Sequence, residues 1–530
     1  MNITFLVSLL PAFVYYLMKS NKSLHILQQN WYNEGNRYIT WIIKNRYKVF
    51  IELDMFFIIF ITLMFFDTLS SMVIFIVFYC LAAILYIRKM KNEQEKKKLE
   101  FTKRAKRLII TEILIFLLVV LITSLYLDEL NLYIMYLIFG GLIYLNYIVL
   151  LIANYINKPV EKLVYKFYMN KAKHKLGGMK NLEVVGITGS YGKTSSKNIL
   201  NDILSSKYNT CPTPKNFNTP NGLMITINNY LDKFTDILIA EMGAFKEGEI
   251  KELCDFIHPK YGILTTIGTA HLESFGSEDA IMRGKFELIE SLPKDGVAVL
   301  NADDKKQLSY DIKNECKTIW IGIENHSADI IAKNIKQSED GIKFEVKFKE
   351  DKKVYKFETV LLGTANVYNI LSAIALGIHL GISIDQLQTS VKGVKPIEHR
   401  LELKKYGDIT IIDDAYNSNP IGSKMALDVL NLMKGKKIIV TPGMIELGDK
   451  QYEFNMKFGE YIADICDEVI LVGEVQTKPI YEGLIRKKYK EKNIHIINDV
   501  KLAFELMQEL KDKNTYVLLE NDLPDIFNEK

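Results

Sequence analysis

The residues with the clearest chemistry form a glycine-punctuated turn between a strand pattern and a helix pattern. Val184 to Thr188 is apolar and β-branched, and the chain from Ser195 onward favours a helix. A strand that runs through such a loop into a helix directs several backbone N–H groups at one point, which binds phosphate. Lys193 can then reach the β- and γ-phosphates, and the Thr194 hydroxyl can reach Mg²⁺. The predicted nucleotide-binding residues of this loop are Thr188, Gly189, Ser190, Gly192, Lys193, Thr194 and Ser195.

The loop departs from the strict G-x-x-x-x-G-K-[ST] pattern, because Ile187 stands where the first glycine belongs. Its variant, T-G-[ST]-x-G-K-T, resembles the nucleotide loop of the Mur ligases, the ATP-dependent amide-forming enzymes of bacterial cell-wall synthesis. The resemblance runs from about Val184 to about Val472. It is closest to the members that add D-alanyl-D-alanine to the UDP-muramoyl tripeptide, and it implies a P-loop central domain and ATP as cofactor.

Glu241 directly follows a predicted strand, Thr235–Ala240, in a part of the chain where short strands and helices alternate. This alternation predicts a parallel α/β sheet, in which ligands gather beyond the carboxyl ends of the strands. A carboxylate there can hold Mg²⁺ opposite Thr194; a solvated loop glutamate is the plainer alternative. The segment from Glu241 to Ala244 is similar to a Mur ligase pattern, which favours the metal ligand.

Two further residues take their expected roles from the resemblance. A histidine at the position of His271 helps to bind a second Mg²⁺ in Mur ligases, whereas a lone histidine would otherwise be read as structural. Lys285 matches a lysine that several members carbamylate, which turns an ammonium into a carboxylate. The expected catalytic residues are therefore Lys193, Glu241, His271 and Lys285, and the expected metal ligands are Thr194, Glu241 and His271.

A Pro-, Asn- and Gly-rich loop, residues 211–222, precedes the Glu241 strand. In the family such a loop faces the reacting carboxylate, so Asn218 and Thr219 are the expected substrate-binding residues. Asn301 and Asn369 lie in segments that resemble the nucleotide side of the family's site. Alternating apolar and polar residues between about 327 and 360 predict a small antiparallel excursion.

The last part of the chain is predicted to be a compact Rossmann-like domain that begins near the hinge at residues 394–402. Arg400, Asp414 and Asn417 resemble the Mur ligase residues that reach ATP from across the cleft; an interdomain ion pair is the alternative. The D-alanyl-D-alanine-adding members commonly end their last strand with Lys-Gly-Ser, but this chain has the acidic segment 518–525. This departure leaves the amino substrate open between an amino acid and a dipeptide.

The first third of the chain has a different character. Residues 1–180 contain 23 Lys and Arg against 11 Asp and Glu, while the remainder contains 44 against 52, so the overall charge of +4 conceals a basic, apolar N-terminal part. The long apolar runs, which predict about five transmembrane helices, are 2–18, 49–66, 72–87, 108–127 and 132–156. Four spans or a re-entrant pair remain possible, because the runs between 49 and 87 are short.

The charges of the connections predict the orientation. Segments 19–48, 88–107 and 157–180 are rich in Lys and Arg, whereas the opposite connections carry Asp67 and Asp128. The positive-inside rule therefore places the basic loops and the catalytic domains in the cytoplasm of a multi-pass membrane protein. Five scattered cysteines predict neither a zinc site nor a disulfide framework.

The predicted layout is an α-helical transmembrane region followed by α/β domains: 1–156 transmembrane, 157–180 a basic linker, 181–395 the central ATP-binding domain and 396–530 the C-terminal domain. The resemblance implies a membrane-bound ligase that activates a wall-precursor carboxylate with ATP and Mg²⁺ and joins it to an amino acid or D-alanyl-D-alanine. Alternatives are a ligase for another polymer such as poly-γ-glutamate, a transport ATPase and a non-catalytic nucleotide-binding scaffold. Nucleic acid is not an expected partner.

Overall fold

A computed structural model describes residues 3–32, 37–91, 98–126, 132–416, 418–445 and 447–522. The chain divides into two compact units, residues 1–167 and 168–530. Each has hydrophobic cores of its own.

The first unit is helical. Its helices are α1 Ile3–Gln29, α2 Ile39–Lys44, α3 Arg46–Phe50, α4 Thr68–Lys91, α5 Lys103–Tyr126, α6 Leu132–Tyr144 and α7 Asn146–Gly177, with a 3₁₀ helix at Leu53–Phe65. Asp67 begins α4 by accepting hydrogen bonds from the Ser70 backbone N–H and hydroxyl, both at 2.8 Å. Helix α7 continues through most of the segment predicted as a basic linker.

Among the described residues, α4 and α5 are long and apolar enough to cross a membrane, and α6 with α7 would make a third span if this bent pair were one element. The axes of α6 and α7 differ by 75°. Most of the apolar run at 49–66 forms the 3₁₀ helix, which belongs to the shorter apolar helices and not to the candidate spans. The structure thus offers two or three candidate spans where the sequence predicted about five.

Polar side chains lie inside this apolar unit. Lys19 and Asp54 form a fully buried ion pair at 2.6 Å. Asn146 donates to Ser20 at 2.8 Å and to Glu112 at 3.4 Å, and it accepts from Ser23 at 2.8 Å. Buried polar groups need such partners, so these contacts position α1, α5 and the start of α7 relative to one another.

The second unit begins with a nine-stranded sheet in the order β2-β3-β1-β4-β5-β6-β7-β8-β9. Its strands are β1 Glu183–Thr188, β2 Thr210–Pro212, β3 Ile237–Glu241, β4 Tyr261–Leu264, β5 Val297–Asn301, β6 Lys317–Gly322, β7 Ile330–Ser338, β8 Gly341–Phe348 and β9 Val354–Thr359. In the order of the sheet, every strand from β2 to β7 is parallel to the next one. Strands β7, β8 and β9 then pair antiparallel and form the predicted antiparallel excursion. Strand β1 lies inside the sheet, and β1, β3 and β4 are almost entirely buried.

The helices of this part pack against the sheet. They are α8 Lys193–Leu204, α9 Pro220–Asn229, α10 Glu249–Ile257, α11 Leu272–Phe275, α12 Glu278–Glu290, α13 Lys305–Ser309, α14 Thr364–His379 and α15 Ile384–Lys392. One core joins apolar residues of α8 and α14 to the central strands. This packing holds the start of α8 at the carboxyl end of β1.

A second sheet of six strands follows in the order β10-β11-β15-β12-β13-β14, parallel except for β10. Its strands are β10 Glu402–Tyr406, β11 Ile409–Asp414, β12 Lys436–Thr441, β13 Glu468–Val472, β14 Ile494–Ile497 and β15 Thr515–Glu520, and its helices are α16 Pro420–Leu432, α17 Gln451–Ala463, α18 Glu474–Arg486 and α19 Val500–Glu509. This is the predicted Rossmann-like arrangement, with the antiparallel strand β10 at one edge of the sheet and β14 at the other.

Candidate active site

The turn between β1 and α8 needs glycine at two positions. Gly192 begins α8 with φ +80°, which side-chain-bearing residues adopt at a cost. Gly189 has φ +148°, and a Cβ built on it would lie 2.0 Å from the Thr265 hydroxyl oxygen. Thr265 in turn donates to the Tyr191 carbonyl at 2.6 Å, and Ser190 N–H donates to the Thr266 carbonyl at 2.7 Å. The end of β4 therefore fixes the shape of the loop.

Lys193 folds back over this loop. Its ammonium donates to the carbonyls of Gly189 at 2.7 Å and Ser190 at 3.3 Å. Burial lowers the pKa of Lys193, the nearby Glu241 carboxylate opposes that change, and Arg400 adds to it. Thr188, by contrast, is fully buried and its hydroxyl donates to the Met242 carbonyl at 2.9 Å, so its side chain supports the strand ends.

Glu241 ends β3 beside the start of α8 and joins three side chains. Its Oε2 accepts from the Thr194 hydroxyl at 3.0 Å and lies 3.1 Å from the Lys197 ammonium, and its Oε1 accepts from the Asn218 amide at 3.1 Å. The side chains of Lys197 and Glu241 are each 2% exposed. The predicted metal ligands Thr194 and Glu241 thus meet at the carboxyl ends of β1 and β3.

The loop predicted to face the substrate reaches the same place. Its Asn218 carbonyl accepts from Gly243 N–H at 2.8 Å, and the Lys215 carbonyl accepts from the Lys197 ammonium. The Thr219 hydroxyl is instead the cap of α9, accepting from Gly222 N–H at 3.3 Å. Asn218 therefore lies at the centre of the site, while the Thr219 side chain orders the loop behind it.

His271 and Lys285 lie on the segments that follow β4. His271 begins α11 with φ +61°, and its ring centre is 4.5 Å from that of Phe245. The Lys285 side chain is buried, donates to the Ala244 carbonyl at 3.3 Å and lies over the Phe275 ring at 5.3 Å. Burial lowers the pKa of Lys285 to about 7, with a smaller contribution from the Lys193 charge. A substantial fraction of this amine is therefore uncharged at neutral pH.

Asn301 and Asn369 belong to two segments that the structure joins. The Tyr368 hydroxyl, next to Asn369, donates to Asp303 at 2.8 Å, and Asp303 N–H donates to the Asn301 side chain at 2.9 Å. Burial acts to raise the pKa of Asp303, but three backbone N–H groups and Tyr368 together hold it below its usual value. The Asn369 amide oxygen would lie 3.6 Å from a Cβ on Gly192, so this pair of segments borders the phosphate loop.

The second sheet contributes Arg400 and Asp414. The Arg400 guanidinium lies 4.6 Å from the Tyr416 ring centre, and its charge acts on the pKa of both Lys193 and Asp414. Arg400 is thus near enough to the phosphate loop for its charge to act on Lys193. Asn417 lies outside the described residues.

Asp414 faces an unpredicted carboxyl group. It pairs in register with Glu520 on β15, and both side chains are buried. The Ser418 hydroxyl donates to Glu520 at 2.7 Å. Burial and the Asp414 charge raise the pKa of Glu520 well above its usual value, so this carboxyl keeps its proton to a higher pH.

Lys197 and Glu520 are the residues that sequence reasoning missed. Lys197 lies four residues after Lys193, so both lie on one side of α8, and that spacing was the available signal. The sequence shows Glu520 as an acidic residue near the end of the last strand, in place of the Lys-Gly-Ser common in the family. Its pairing with Asp414 depends on the order of the strands in the sheet.

The arrangement suits phosphoryl transfer. It has a phosphate loop, a lysine, a hydroxyl and carboxylate that can hold Mg²⁺, and an arginine from the facing sheet. No group of three or more His, Cys, Asp or Glu side chains in the described part of the chain could hold a metal by itself. The Thr194 hydroxyl and the Glu241 carboxylate are oxygen ligands of the kind that Mg²⁺ takes, usually one or two from the protein with phosphate and water completing its shell.

Residues 187–377 match the Mur ligase middle domain, and residues 399–520 match the Mur ligase, glutamate ligase domain. The UDP-N-acetylmuramoyl-tripeptide--D-alanyl-D-alanine ligase of Bacillus subtilis is 32% identical over 342 residues, which cover 64% of this chain and 72% of that protein. The Escherichia coli enzyme of the same name is 30% identical over 55% of this chain and 64% of its own length, so the match spans less than two thirds of that relative.

Solved structures agree with this fold. The MurF ligase from Thermotoga maritima in complex with ADP has a TM-score of 0.61 and 26% identity, covering 68% of this chain and 81% of that one. A MurF from Acinetobacter baumannii also has a TM-score of 0.61, with 23% identity over 68% of this chain and 78% of that one.

Proposed function

This chain belongs to the Mur ligase family of ATP-dependent acid–amino-acid ligases, and we propose that it is a membrane-bound member acting on a peptidoglycan precursor. The observation that carries the proposal is the meeting of Lys193, Thr194 and Glu241 at the ends of β1 and β3, with Arg400 close by. The relatives named above act on UDP-N-acetylmuramoyl-tripeptide and D-alanyl-D-alanine, and substrates of this kind are proposed for this chain.

The proposed reaction has two steps. A carboxylate oxygen of the acceptor attacks the γ-phosphorus of ATP, which releases ADP and leaves an acyl phosphate. The amine then attacks the acyl carbon, loses a proton, and the tetrahedral intermediate expels inorganic phosphate as the amide forms. In this scheme the Lys193 cation and the loop N–H groups stabilise charge on the transferred phosphoryl group. Arg400 would approach the phosphates from the second sheet.

Mg²⁺ is proposed to bind between Thr194 and Glu241, where it would neutralise phosphate charge. The 3.0 Å contact between these two side chains supports a shared ligand position, and Asn218 and Lys197 hold the carboxylate from its other sides. His271 is retained as a proposed contributor to a second ion. Its place at the start of α11, against Phe245, supports the proposal less directly.

Lys285 is proposed to be carbamylated. Carbamylation requires an uncharged amine, because the nitrogen lone pair attacks CO₂, and the lowered pKa of this buried lysine supplies one at neutral pH. The product would carry negative charge where an ammonium would otherwise repel Lys193. Thr188, Gly189, Ser190, Gly192, Ser195, Asn301, Asn369, Asp414 and Asn417 remain proposed nucleotide-binding residues, and Asn218 and Thr219 proposed substrate-binding residues.

The first unit supports a membrane location. Helices α4 and α5 are candidate spans, and their outward apolar side chains, such as Val77 and Leu117, are more than half exposed to the surroundings of the unit. Soluble Mur ligases place a UDP-binding domain before the phosphate loop, whereas here helices of this kind precede it. We therefore propose that the acceptor is lipid-linked or membrane-associated, and that the catalytic unit faces the cytoplasm.

The test supplies the full-length protein, in detergent or nanodiscs, with ATP, D-alanyl-D-alanine and one of two acceptors. One acceptor is soluble UDP-muramoyl tripeptide and the other is its lipid-linked counterpart. Dipeptide-dependent ADP release with the lipid-linked acceptor is expected. Efficient use of the soluble acceptor alone would refute a tethered acceptor, and ADP release that is independent of any amine would refute ligase activity.

A second candidate is the same chemistry on another polymer, such as poly-γ-glutamate. The observation that favours it is Glu520, an acidic residue where the D-alanyl-D-alanine-adding members commonly carry Lys-Gly-Ser. Supplying poly-γ-glutamate as the acceptor in the same assay, with single amino acids and the dipeptide as amines, separates the two candidates, because the peptidoglycan proposal expects amine-dependent ADP release only with a wall-precursor acceptor.

A further inference from the structure

Helix α7 presents an apolar row to the outside of the first unit. Its exposed side chains recur at helical spacing from Ile148 to Phe167, and Leu163 and Phe167 are 68% and 64% exposed. The remaining members of the row are Ile152, Tyr155, Ile156 and Val160. The opposite side of the helix is buried against the unit through Leu150 and Ala153.

Polar contacts place α7 at one end of α5. Asn146 contacts Glu112, Asn154 contacts Arg104, Asn157 contacts Thr111 and Glu161 contacts Arg107. The partners on α7 extend over about 22 Å of helix, but those on α5 extend over about 12 Å. Helix α7 therefore crosses the basic end of α5 instead of following its length. The 75° bend between α6 and α7 likewise turns α7 away from the direction of α6.

A row of lysines lies between the apolar row and the buried side of α7. Lys158, Lys162 and Lys166 recur every four residues and are exposed. A helix that exposes an apolar row with lysines beside it can lie at a membrane interface, where the apolar side chains enter the acyl boundary and the lysines meet anionic headgroups.

We propose that α7 from Ile148 to Phe167 lies in the plane of the membrane surface, with its apolar row in the lipid and its lysine row at anionic headgroups. The proposal rests on the membrane insertion of the first unit proposed above. It replaces the sequence-based expectation that residues 132–156 form one span followed by a linker. The return crossing to the side of the basic loops then falls to α6 alone, whose 13 residues extend about 20 Å and need a locally thinned bilayer. A transmembrane course of α7 itself would carry Asn157, Lys158 and Glu161 into hydrocarbon, which is costly for polar and ionisable groups.

The test uses single tryptophans in the full-length protein, with Trp31, Trp41 and Trp320 replaced by Phe. Leu163→Trp reports whether the apolar row contacts lipid, and Lys162→Trp reports the surroundings of the neighbouring lysine row. Leu117→Trp on α5 is the control that shows whether the first unit has inserted into the membrane. Each variant is reconstituted in nanodiscs with brominated lipids containing phosphatidylglycerol or only phosphatidylcholine. Iodide is the water-phase quencher.

Brominated lipid is expected to quench Leu163→Trp at a depth of roughly 5–10 Å, while iodide quenches Lys162→Trp. Combining Leu163→Trp with K158Q, K162Q and K166Q is expected to reduce its quenching by lipid in the phosphatidylglycerol discs and not in the others.

Three results would overturn the in-plane helix while Leu117→Trp is quenched by lipid. These are quenching of Leu163→Trp by iodide alone, quenching at the bilayer centre, and protection from both quenchers, the last of which would indicate a protein partner such as a second copy. Absence of lipid quenching at Leu117→Trp would instead refute insertion of the first unit, and with it this proposal.

Discussion

The Lys197 ammonium lies 3.1 Å from Oε2 of Glu241, and each side chain is 2% exposed. This pair links the first turns of α8 to the end of β3, directly behind the proposed Mg²⁺ position. Because Lys197 also donates to the Lys215 carbonyl, it ties the carboxylate to the loop that carries Asn218. A single buried cation thus orders two parts of the site.

Replacing Lys197 with Met is expected to destabilise the protein by about 3–5 kcal/mol, because the buried Glu241 charge loses its partner. Urea unfolding of the second unit measures this. The double variant K197M/E241Q should recover much of that loss, and Lys251→Met, at an exposed position, is the matched control. A double variant that is no more stable than K197M would show that the pair is not coupled.

Lys193→Ala is expected to lower the rate of ATP turnover by roughly a hundredfold or more, because one preorganised cation at a transferring phosphoryl group is lost. The fold should be unchanged, since Lys193 bonds only to carbonyls of its own loop among the contacts described here. ADP release and thermal unfolding are measured together. Turnover at the parental rate would exclude this loop as the active site.

In buffer free of CO₂ and bicarbonate, where Lys285 keeps a free amine, this residue should make stability depend on pH. Its pKa falls from 10.5 in the unfolded chain to about 7 in the folded one, so between these values the unfolded protein binds the extra proton. The free energy of unfolding should therefore rise with pH across that window, and Lys285→Met should remove this rise. A carbamate signal in ¹³C NMR after addition of ¹³C-labelled bicarbonate, absent from the variant, checks the modification separately.

Glu520 should have the opposite dependence on pH. Its folded pKa is raised above its usual 4.5, so above pH 4.5 the folded protein keeps a proton that the unfolded chain has lost. The free energy of unfolding should fall as pH rises through this window. Glu520→Gln keeps a neutral side chain and should flatten that fall; an unchanged slope would mean that Asp414 and Glu520 do not compete for a proton.

The orientation predicted from charge can be tested with cysteines in a Cys80→Ala background. Leu69→Cys, beside Asp67, should react with an impermeant thiol reagent in intact cells, and Lys103→Cys at the start of α5 should react only after the cells are opened. The reverse pattern would place the catalytic unit outside the cell.

Strands that adjoin a recognisable motif could be predicted from the sequence, because an apolar strand pattern and turn-forming residues follow one another there. Strands β1 and β3 lie within a few residues of their predicted bounds, as does the antiparallel excursion. Strands β2 and β14 were missed because three or four residues carry little periodicity, and β10 because it is largely exposed and polar.

Contacts between residues that are far apart in the sequence were harder to predict. The contact between the phosphate loop and Glu241 follows from the rule that parallel strands end at one edge of a sheet, whereas Asn218 was expected near them only from the family resemblance. The pairing of Asp414 with Glu520 depends on β15 returning between β11 and β12, which no local pattern specifies. The bend at α6 and α7 was also missed, since hydropathy runs continuously through it.

The position of β1 in its sheet also affects how the protein is made. Strand β1 leaves the ribosome before β3 and β4, yet these are its two neighbours in the sheet. At translation rates of roughly 5–20 residues per second, the strand that precedes the phosphate loop waits about 4–15 seconds until both of them have been made. During that interval the apolar residues of β1 have no partner strand and can bind chaperones. Loss of the chaperones that bind nascent chains should therefore reduce the yield of this protein more than that of a protein whose neighbouring strands are consecutive in the sequence.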